Sequence, residues 1–332
     1  MFSLTRKFAF FCFLSVILSC NNRTEQKNDD NTNTIGGEII IFHAGSMALP
    51  IKQINEAFNK EYPDVKILTE SAGSVSCARK ITDLGKMCDI FISADYNVIN
   101  NLLIPQYASW NIKFASNEMA LVYNESSKYA NTINTENWYE IILRDDVRIG
   151  RSDPNADPCG YRTILTLKLA EKYYHKDKIL SQVLLKDKKY MRPKEVDLLA
   201  LLETNSVDYI FLYKSVAVQH NLKYITLADE INLKSEKFSN LYASVDVVIN
   251  GKKPGEYETI SGETMAYGIT IPKNAPNQKA ALAYIDYFLA AEGGMKIIIS
   301  NGQSSLIPSY TDTYLNVPDN LKKYVKKYQP KT

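Results

Sequence analysis

The segment Asp153-Pro154-Asn155-Ala156-Asp157-Pro158-Cys159-Gly160-Tyr161-Arg162 puts a carboxylate at the start of a helical pattern, where an anion site would ordinarily offer only donors. Asp followed by Pro is a helix-start signal, with Asp as N-cap and Pro at the first helical position. Ile164, Leu165, Leu167, Leu169, Tyr173 and Tyr174 continue the pattern at helical spacing. Asp157 therefore lies at the positive end of a helix dipole. It either only caps this helix or also contacts a ligand, and these residues by themselves allow both. His43-Ala44-Gly45-Ser46 and Ser71-Ala72-Gly73-Ser74 each set Gly-Ser where an apolar run gives way to a helical pattern. Such a junction offers unpaired backbone N–H groups, a positive dipole end and a hydroxyl, which is the chemistry of oxyanion capture. Ser is also a common N-cap, so simple capping stays open for Ser46 and Ser74.

The elements that must position these residues read as α/β. Glu38-Ile39-Ile40-Ile41-Phe42 is the mostly apolar run of a buried parallel strand, followed by a helical pattern through Ile51, Ile54, Ala57 and Phe58. Residues 65–69 read as a second strand, Val75, Ala78, Ile81 and Leu84 as the helix after it, and residues 89–93 as a third strand. Ligands of open α/β sheets sit outside the carboxyl ends of the strands, so Ser46 and Ser74 have a reason to face one space.

The N-terminus bears on the compartment. Arg6 and Lys7 precede an apolar run over residues 8–18, and Ile17-Leu18-Ser19-Cys20 resembles a bacterial lipobox. That run is shorter than the roughly 20 residues of a spanning helix. Residues 1–19 are expected to be a lipoprotein signal peptide, with Cys20 lipidated, and the polar residues 20–36 a flexible tether. The 39 Lys and Arg against 37 Asp and Glu give a net charge of +2. Loss of Arg6 and Lys7 with the signal would leave zero, so neither nucleic acid nor a basic membrane face is indicated. In the body Cys77, Cys88 and Cys159 are odd in number and fit no zinc spacing, leaving at most one disulfide. No Gly-x-Ser-x-Gly elbow, dinucleotide fingerprint or Walker loop occurs, which argues against an enzyme. A carbohydrate or peptide site would favour aromatic platforms, whereas both Gly-Ser junctions are small and donor-rich.

Phe42-His43-Ala44-Gly45-Ser46, Ser71-Ala72-Gly73-Ser74, Asn137-Trp138-Tyr139, the Asp153–Arg162 segment and Tyr213-Lys214-Ser215-Val216-Ala217 together resemble the WtpA/ModA family, tungstate- or molybdate-binding proteins of ABC importers. The likeness runs from about residue 39 to 308. It implies a type II periplasmic-binding-protein fold, two α/β lobes with an interlobe cleft that holds the anion. The chain would cross between lobes near residues 117–123 and 263–269. Lobe one would combine residues 37–119 with 267–332, and lobe two would be residues 120–266. The family's ligand contacts fall on Gly45, Ser46, Ser74, Asp157, Pro158, Cys159, Glu195 and Tyr213. In archaeal members two carboxylates complete an octahedral shell around the metal of the oxyanion, and Asp157 and Glu195 resemble those positions. The implied partners are the oxyanion, a permease with its ATPase and, through Cys20, a bacterial membrane on its periplasmic or exterior side. A monomer without cofactor is expected.

Two like charges make this demanding. A carboxylate and a dianion about 4 Å apart repel by about 8 kcal/mol at an effective dielectric near 20. Direct coordination to a high-valent metal centre would offset that. Phosphate and sulfate cannot expand their shells in this way, so coordinating carboxylates would select against them. Without coordination, the same Asp157 could accept a proton from phosphate, and the alternative is a binding protein for another tetrahedral oxyanion, phosphate or sulfate. Glu195 opens a helical pattern through Leu198, Leu199, Leu201 and Leu202, and Asp197 could take its role if the register moves by two. Tyr213 ends the strand-like run Asp208-Tyr209-Ile210-Phe211-Leu212, where a core role competes with ligation. Arg162 is expected to pair with Asp153 or to support the loop, and His43 to make a local hydrogen bond.

Overall fold

The computed structural model describes residues 35–328 apart from 252 and 254. The signal peptide, Cys20 and most of the tether lie outside the described residues. Two sheets organise the chain. The first is built from β1 (Gly37–Ala44), β2 (Val65–Ala72), β3 (Ile90–Ser93), β4 (Ile112–Ser116), and later β12 (Tyr267–Thr270) and β13 (Ser304–Ser305), in the order β13-β4-β12-β3-β1-β2. The second takes β5 (Met119–Tyr123), β6 (Ile149–Ser152), β7 (Met191–Arg192), β8 (Tyr209–Tyr213) and β9 (Lys223–Thr226), in the order β7-β6-β8-β5-β9. Each sheet with its helices makes one lobe.

The two sheets follow one plan. β2-β1-β3 and β7-β6-β8 are parallel triplets, and in each sheet an antiparallel strand, β12 or β5, comes next. Both antiparallel strands directly follow a passage from the other lobe. Between β4 and β5 only Asn117 and Glu118 intervene, so the chain changes sheets in two residues. Asn117 is buried and pinned to both lobes, its Nδ2 donating to Ser215 Oγ at 2.7 Å and to Tyr267 Oη at 3.0 Å. Glu118 beside it is held by Lys214 and Lys234, each at 3.0 Å. The return passage runs from a hairpin, β10 (Asp246–Asn250) with β11 (Tyr257–Ser261), into β12.

Burial explains the strand sequences. Ile39, Ile41 and Phe42 of the central β1 are buried, whereas β2 at the sheet edge keeps Lys66, Thr69 and other polar residues. The helix Ala48–Glu61 buries Ile51, Ile54 and Phe58, one stripe at helical period. The helix Pro158–Tyr174 starts at the Asp157 cap with Pro in its first turn and ends at His175 in the left-handed conformation, φ 51°. Cys77, Cys88 and Cys159 are all buried and unpaired, so the one disulfide the sequence allowed does not form. No helix among the described residues is long and apolar enough to cross a membrane.

Candidate anion-binding site

Five strand ends converge. Gly45–Met47 is a short 3-10 turn directly after β1, and Gly73 follows β2 as the N-cap of the helix Ser74–Thr82. Asp157 caps its helix a few residues beyond β6, Glu195 opens the 3-10 turn Glu195–Asp197 after β7, and Tyr213 closes β8. All five positions lie at carboxyl ends of strands, the side on which open α/β sheets bind ligands.

The side chains meet between the lobes. Asp157 Oδ1 accepts from Cys159 N at 3.3 Å, and its Oδ2 accepts from Glu195 N at 2.9 Å. Glu195 Oε1 accepts from Ser46 N of the first lobe at 2.5 Å. The other oxygen, Oε2, is buried and has no hydrogen-bond partner among the described residues. Ser76 N donates across the same seam to Ala156 O at 3.2 Å, so the lobes are closed on one another. Glycine makes this approach feasible. A Cβ on Gly45 would fall 2.8 Å from Glu195 Oε2, and one on Gly73 only 2.3 Å from Ala156 O.

Three hydroxyls in this seam share one arrangement. Ser46 Oγ accepts from Tyr267 Oη at 3.0 Å, and Tyr267 is itself filled as an acceptor by Asn117 Nδ2. Ser74 Oγ accepts from Ala94 N at 2.9 Å, and Tyr213 Oη from Arg162 Nη1 at 3.0 Å. Each of the three accepts a hydrogen bond and donates none among the described residues, so each hydroxyl has its proton left to donate. The set therefore combines three hydroxyl donors with two carboxylates.

Electrostatics makes the pair unusual. Asp157 and Glu195 are 1% and 0% exposed, and neither has a Lys, Arg or His within ion-pair distance among the described residues. Burial raises the Asp157 pKa, against hydrogen bonds that favour its charge. Burial and the neighbouring Asp157 charge push Glu195 well above the ordinary glutamate range. Two acids in one desolvated space resist ionising together. The described residues hold no cluster of three or more His, Cys, Asp or Glu that would suit a conventional metal cage.

Several expectations change with the geometry. Neither Ser46 nor Ser74 caps a helix: Gly73 occupies the cap position, and no side chain caps the turn at Gly45. Arg162 pairs with Asp95 at 3.2 Å rather than with Asp153, because it reaches across the seam instead of back along its own loop. Asp197 is 43% exposed and pairs with Lys194 at 3.3 Å, whereas Glu195 is fully buried, so the register is not shifted. Pro158 has no N–H to give, and the Cys159 N–H is held by Asp157 while its thiol lies 3.7 Å from Phe211 O. His43 makes the expected local contact, Nδ1 to Ala44 O at 2.8 Å, and burial lowers its pKa. Asn117 and Tyr267, which set the Ser46 hydroxyl, carry no sequence signal beyond their place at the crossings.

The bacterial extracellular solute-binding protein family matches residues 39–302. An uncharacterized solute-binding protein of Petrotoga mobilis is 48% identical over 88% of this chain and 91% of its own. The molybdate/tungstate-binding protein WtpA of Pyrococcus abyssi is 39% identical over 96% and 98%, and that of Thermococcus kodakarensis 38% over 90% and 91%. Among solved structures, the periplasmic molybdate-binding protein of Azotobacter vinelandii aligns with TM-score 0.59 at 14% identity, over 80% of this chain and 98% of that one. The sulfate-binding protein SubI of Mycobacterium tuberculosis aligns with TM-score 0.56 at 13% identity, over 80% and 86%. These structures share the two-lobed periplasmic-binding-protein fold, and the sequence relatives carry the assignment further: the chain is an extracellular solute-binding protein and belongs to the WtpA/ModA family.

Proposed function

We propose that the chain is the extracytoplasmic, non-enzymatic receptor of an ABC importer, closing on tungstate or molybdate and delivering it to a permease and its ATPase. The observation that carries this reading is the buried Asp157–Glu195 pair, with Glu195 Oε2 unpartnered, set beside three hydroxyls whose protons are free to donate. Ser46, Ser74 and Tyr213 hold the oxo groups, with Gly45, Pro158 and Cys159 lining the site beside them. Asp157 and Glu195 bind the tungsten or molybdenum itself. Such a centre can take two carboxylate oxygens into its shell and so offset their buried charge, whereas sulfur or phosphorus cannot expand its shell to do so. The names of the Pyrococcus and Thermococcus relatives support the ligand.

Calorimetry with tungstate, molybdate, sulfate and phosphate tests the reading. Tight binding of the first two and weak or absent binding of the others is expected. Sulfate or phosphate binding as tightly as tungstate sinks it. X-ray absorption at the metal edge of the loaded protein should report six ligands, and four would remove the carboxylates from the shell. Cys20, outside the described residues, is proposed as the lipid attachment point to a bacterial membrane. The mature protein should accordingly lack residues 1–19, carry acyl mass at Cys20 and otherwise behave as a monomer.

A further inference from the structure

Arg162 has no direct contact role in the site proposed above, yet it is only 3% exposed. A guanidinium stays charged, so its burial requires partners that offset the lost hydration. Those partners lie on both sides of the seam. Nη1 donates to Tyr213 Oη at 3.0 Å in its own lobe and to Ala94 O at 2.7 Å in the other. Nη2 lies 3.2 Å from Asp95 Oδ2, without hydrogen-bond alignment, and has no other acceptor among the described residues. Asp95, itself 2% exposed, also accepts from Tyr161 Oη at 2.6 Å through the same oxygen. Ala94 and Asp95 directly follow β3, and the Ala94 N–H is the group that fills Ser74 Oγ.

One planar cation thus touches Tyr213 and the residue that sets Ser74. Because Arg162 has no acceptor to offer, the Tyr213 proton must go elsewhere. The contacts to Ala94 and Asp95 join residues of different lobes and are made only when the lobes are together. We infer that Arg162 is a positioning residue that latches the closed state against Ala94 and Asp95 while holding Tyr213 and Ser74 as donors. The donor role rests on the anion-site reading, whereas the latch stands on the interlobe contacts alone.

Arg162→Lys keeps the charge and loses the fork, and Asp95→Asn removes the charge that receives it. Affinity for tungstate is read by calorimetry and its rates by rapid mixing with intrinsic fluorescence. Losing a charge-assisted hydrogen bond should speed dissociation about 10- to 100-fold in Arg162→Lys, with association within about 3-fold of wild type. Asp95→Asn should move dissociation in the same direction. The metal-edge spectrum of loaded Arg162→Lys should match wild type, since Arg162 touches no proposed metal ligand. Arg192→Lys is the control, because among the described residues the Arg192 side chain donates only to the carbonyls of Lys189 and Met191. Folded variants that release tungstate at the wild-type rate overturn the latch. If the wild type binds none of the four anions, the anion reading fails alone, and hydrogen exchange of the ligand-free protein decides. Protection lost at residues 94–97 in both variants then supports the latch, and unchanged protection there overturns it.

Discussion

Glu195→Gln separates a carboxylate that binds metal from one that is merely buried. The two side chains have the same shape, so Oε1 can go on accepting from Ser46 N. What disappears is an ionisable carboxyl at 0% exposure beside Asp157. Burial first, then the Asp157 charge, lifts the Glu195 carboxyl well above its ordinary range. An acid whose folded pKa is raised contributes stability below its unfolded value, and that contribution is lost as pH rises through the folded value. The ligand-free wild type should therefore lose stability between pH 5 and pH 8, and Glu195→Gln should flatten that loss. With about 1–3 kcal/mol for a buried group without its partner, the variant should melt about 2–8 °C higher than wild type at pH 8. Tungstate affinity moves the other way. Truncating one partner of a buried charged contact costs about 2–5 kcal/mol, or about 30- to 5000-fold in affinity. Once ionised, Glu195 repels sulfate by about 8 kcal/mol for a dianion about 4 Å away at an effective dielectric near 20, so sulfate binding to the variant should strengthen at pH 8. Melting curves at pH 5 and 8 without ligand, and calorimetry with each anion, read all three effects. A Glu195→Gln protein that holds tungstate as tightly as wild type, or gains nothing in stability at pH 8, refutes the reasoning.

Three further substitutions probe the same frame. Asp157→Ser keeps a capping oxygen while Asp157→Ala loses it, so Ala should cost about 0.5–2 kcal/mol more in stability. Both should lose most tungstate affinity by calorimetry, and a Ser variant that binds like wild type would reduce Asp157 to a cap. Gly73→Ala places a Cβ 2.3 Å from Ala156 O across the seam. Overpacking of about 1–3 kcal/mol should weaken tungstate binding by about 5- to 150-fold and keep the small-angle scattering radius from shrinking on ligand addition. Glu263, which accepts from Tyr96 Oη at 3.0 Å, is pushed up to about 7 by burial and by the Asp95 charge. Its contribution is present below pH 4.5 and lost as pH rises towards 7, so Glu263→Gln should raise the melting temperature at pH 8 and leave it nearly unchanged at pH 4.

Local chemistry was legible where one stretch of chain decides it. Asp157-Pro158 announced its helix, and the Asp157 side chain caps it as the dipeptide suggests. The apolar runs of β1 and β3 announced buried strands, because both faces are covered. β2 runs three residues beyond the stretch read as strand, which makes Gly73 the cap and frees the Ser74 hydroxyl from that task. Relations between distant segments were not legible. Arg162 and Asp95 are 67 positions apart and meet only because two lobes close, and no periodicity records such a meeting. The same holds for Tyr267, which orients Ser46 from 221 residues away. That β5 and β12 run antiparallel within largely parallel sheets follows from where the chain crosses, a property of topology that strand composition does not carry.

Fold and donors together cannot choose the anion. A molybdate-binding and a sulfate-binding structure superpose on this chain almost equally well, with TM-scores 0.59 and 0.56, and hydroxyls with backbone N–H groups serve any tetrahedral oxyanion. On the proposed reading the choice falls to Asp157 and Glu195. Both belong to the second lobe, but Glu195 Oε1 is bonded to Ser46 N of the first, so the pair is fully desolvated only when the lobes are together. Closure therefore brings two carboxyl groups against the ligand at the moment water leaves, when the repulsion from whatever charge they carry is least screened. An anion whose centre accepts a carboxylate relieves that repulsion and stabilises the closed form. One with a filled shell opposes it, and a ligand shifts the open and closed populations only by its differential affinity for them. Selection and closure then become one event, and a sulfate ion is refused by leaving the lobes apart rather than by failing to fit between them.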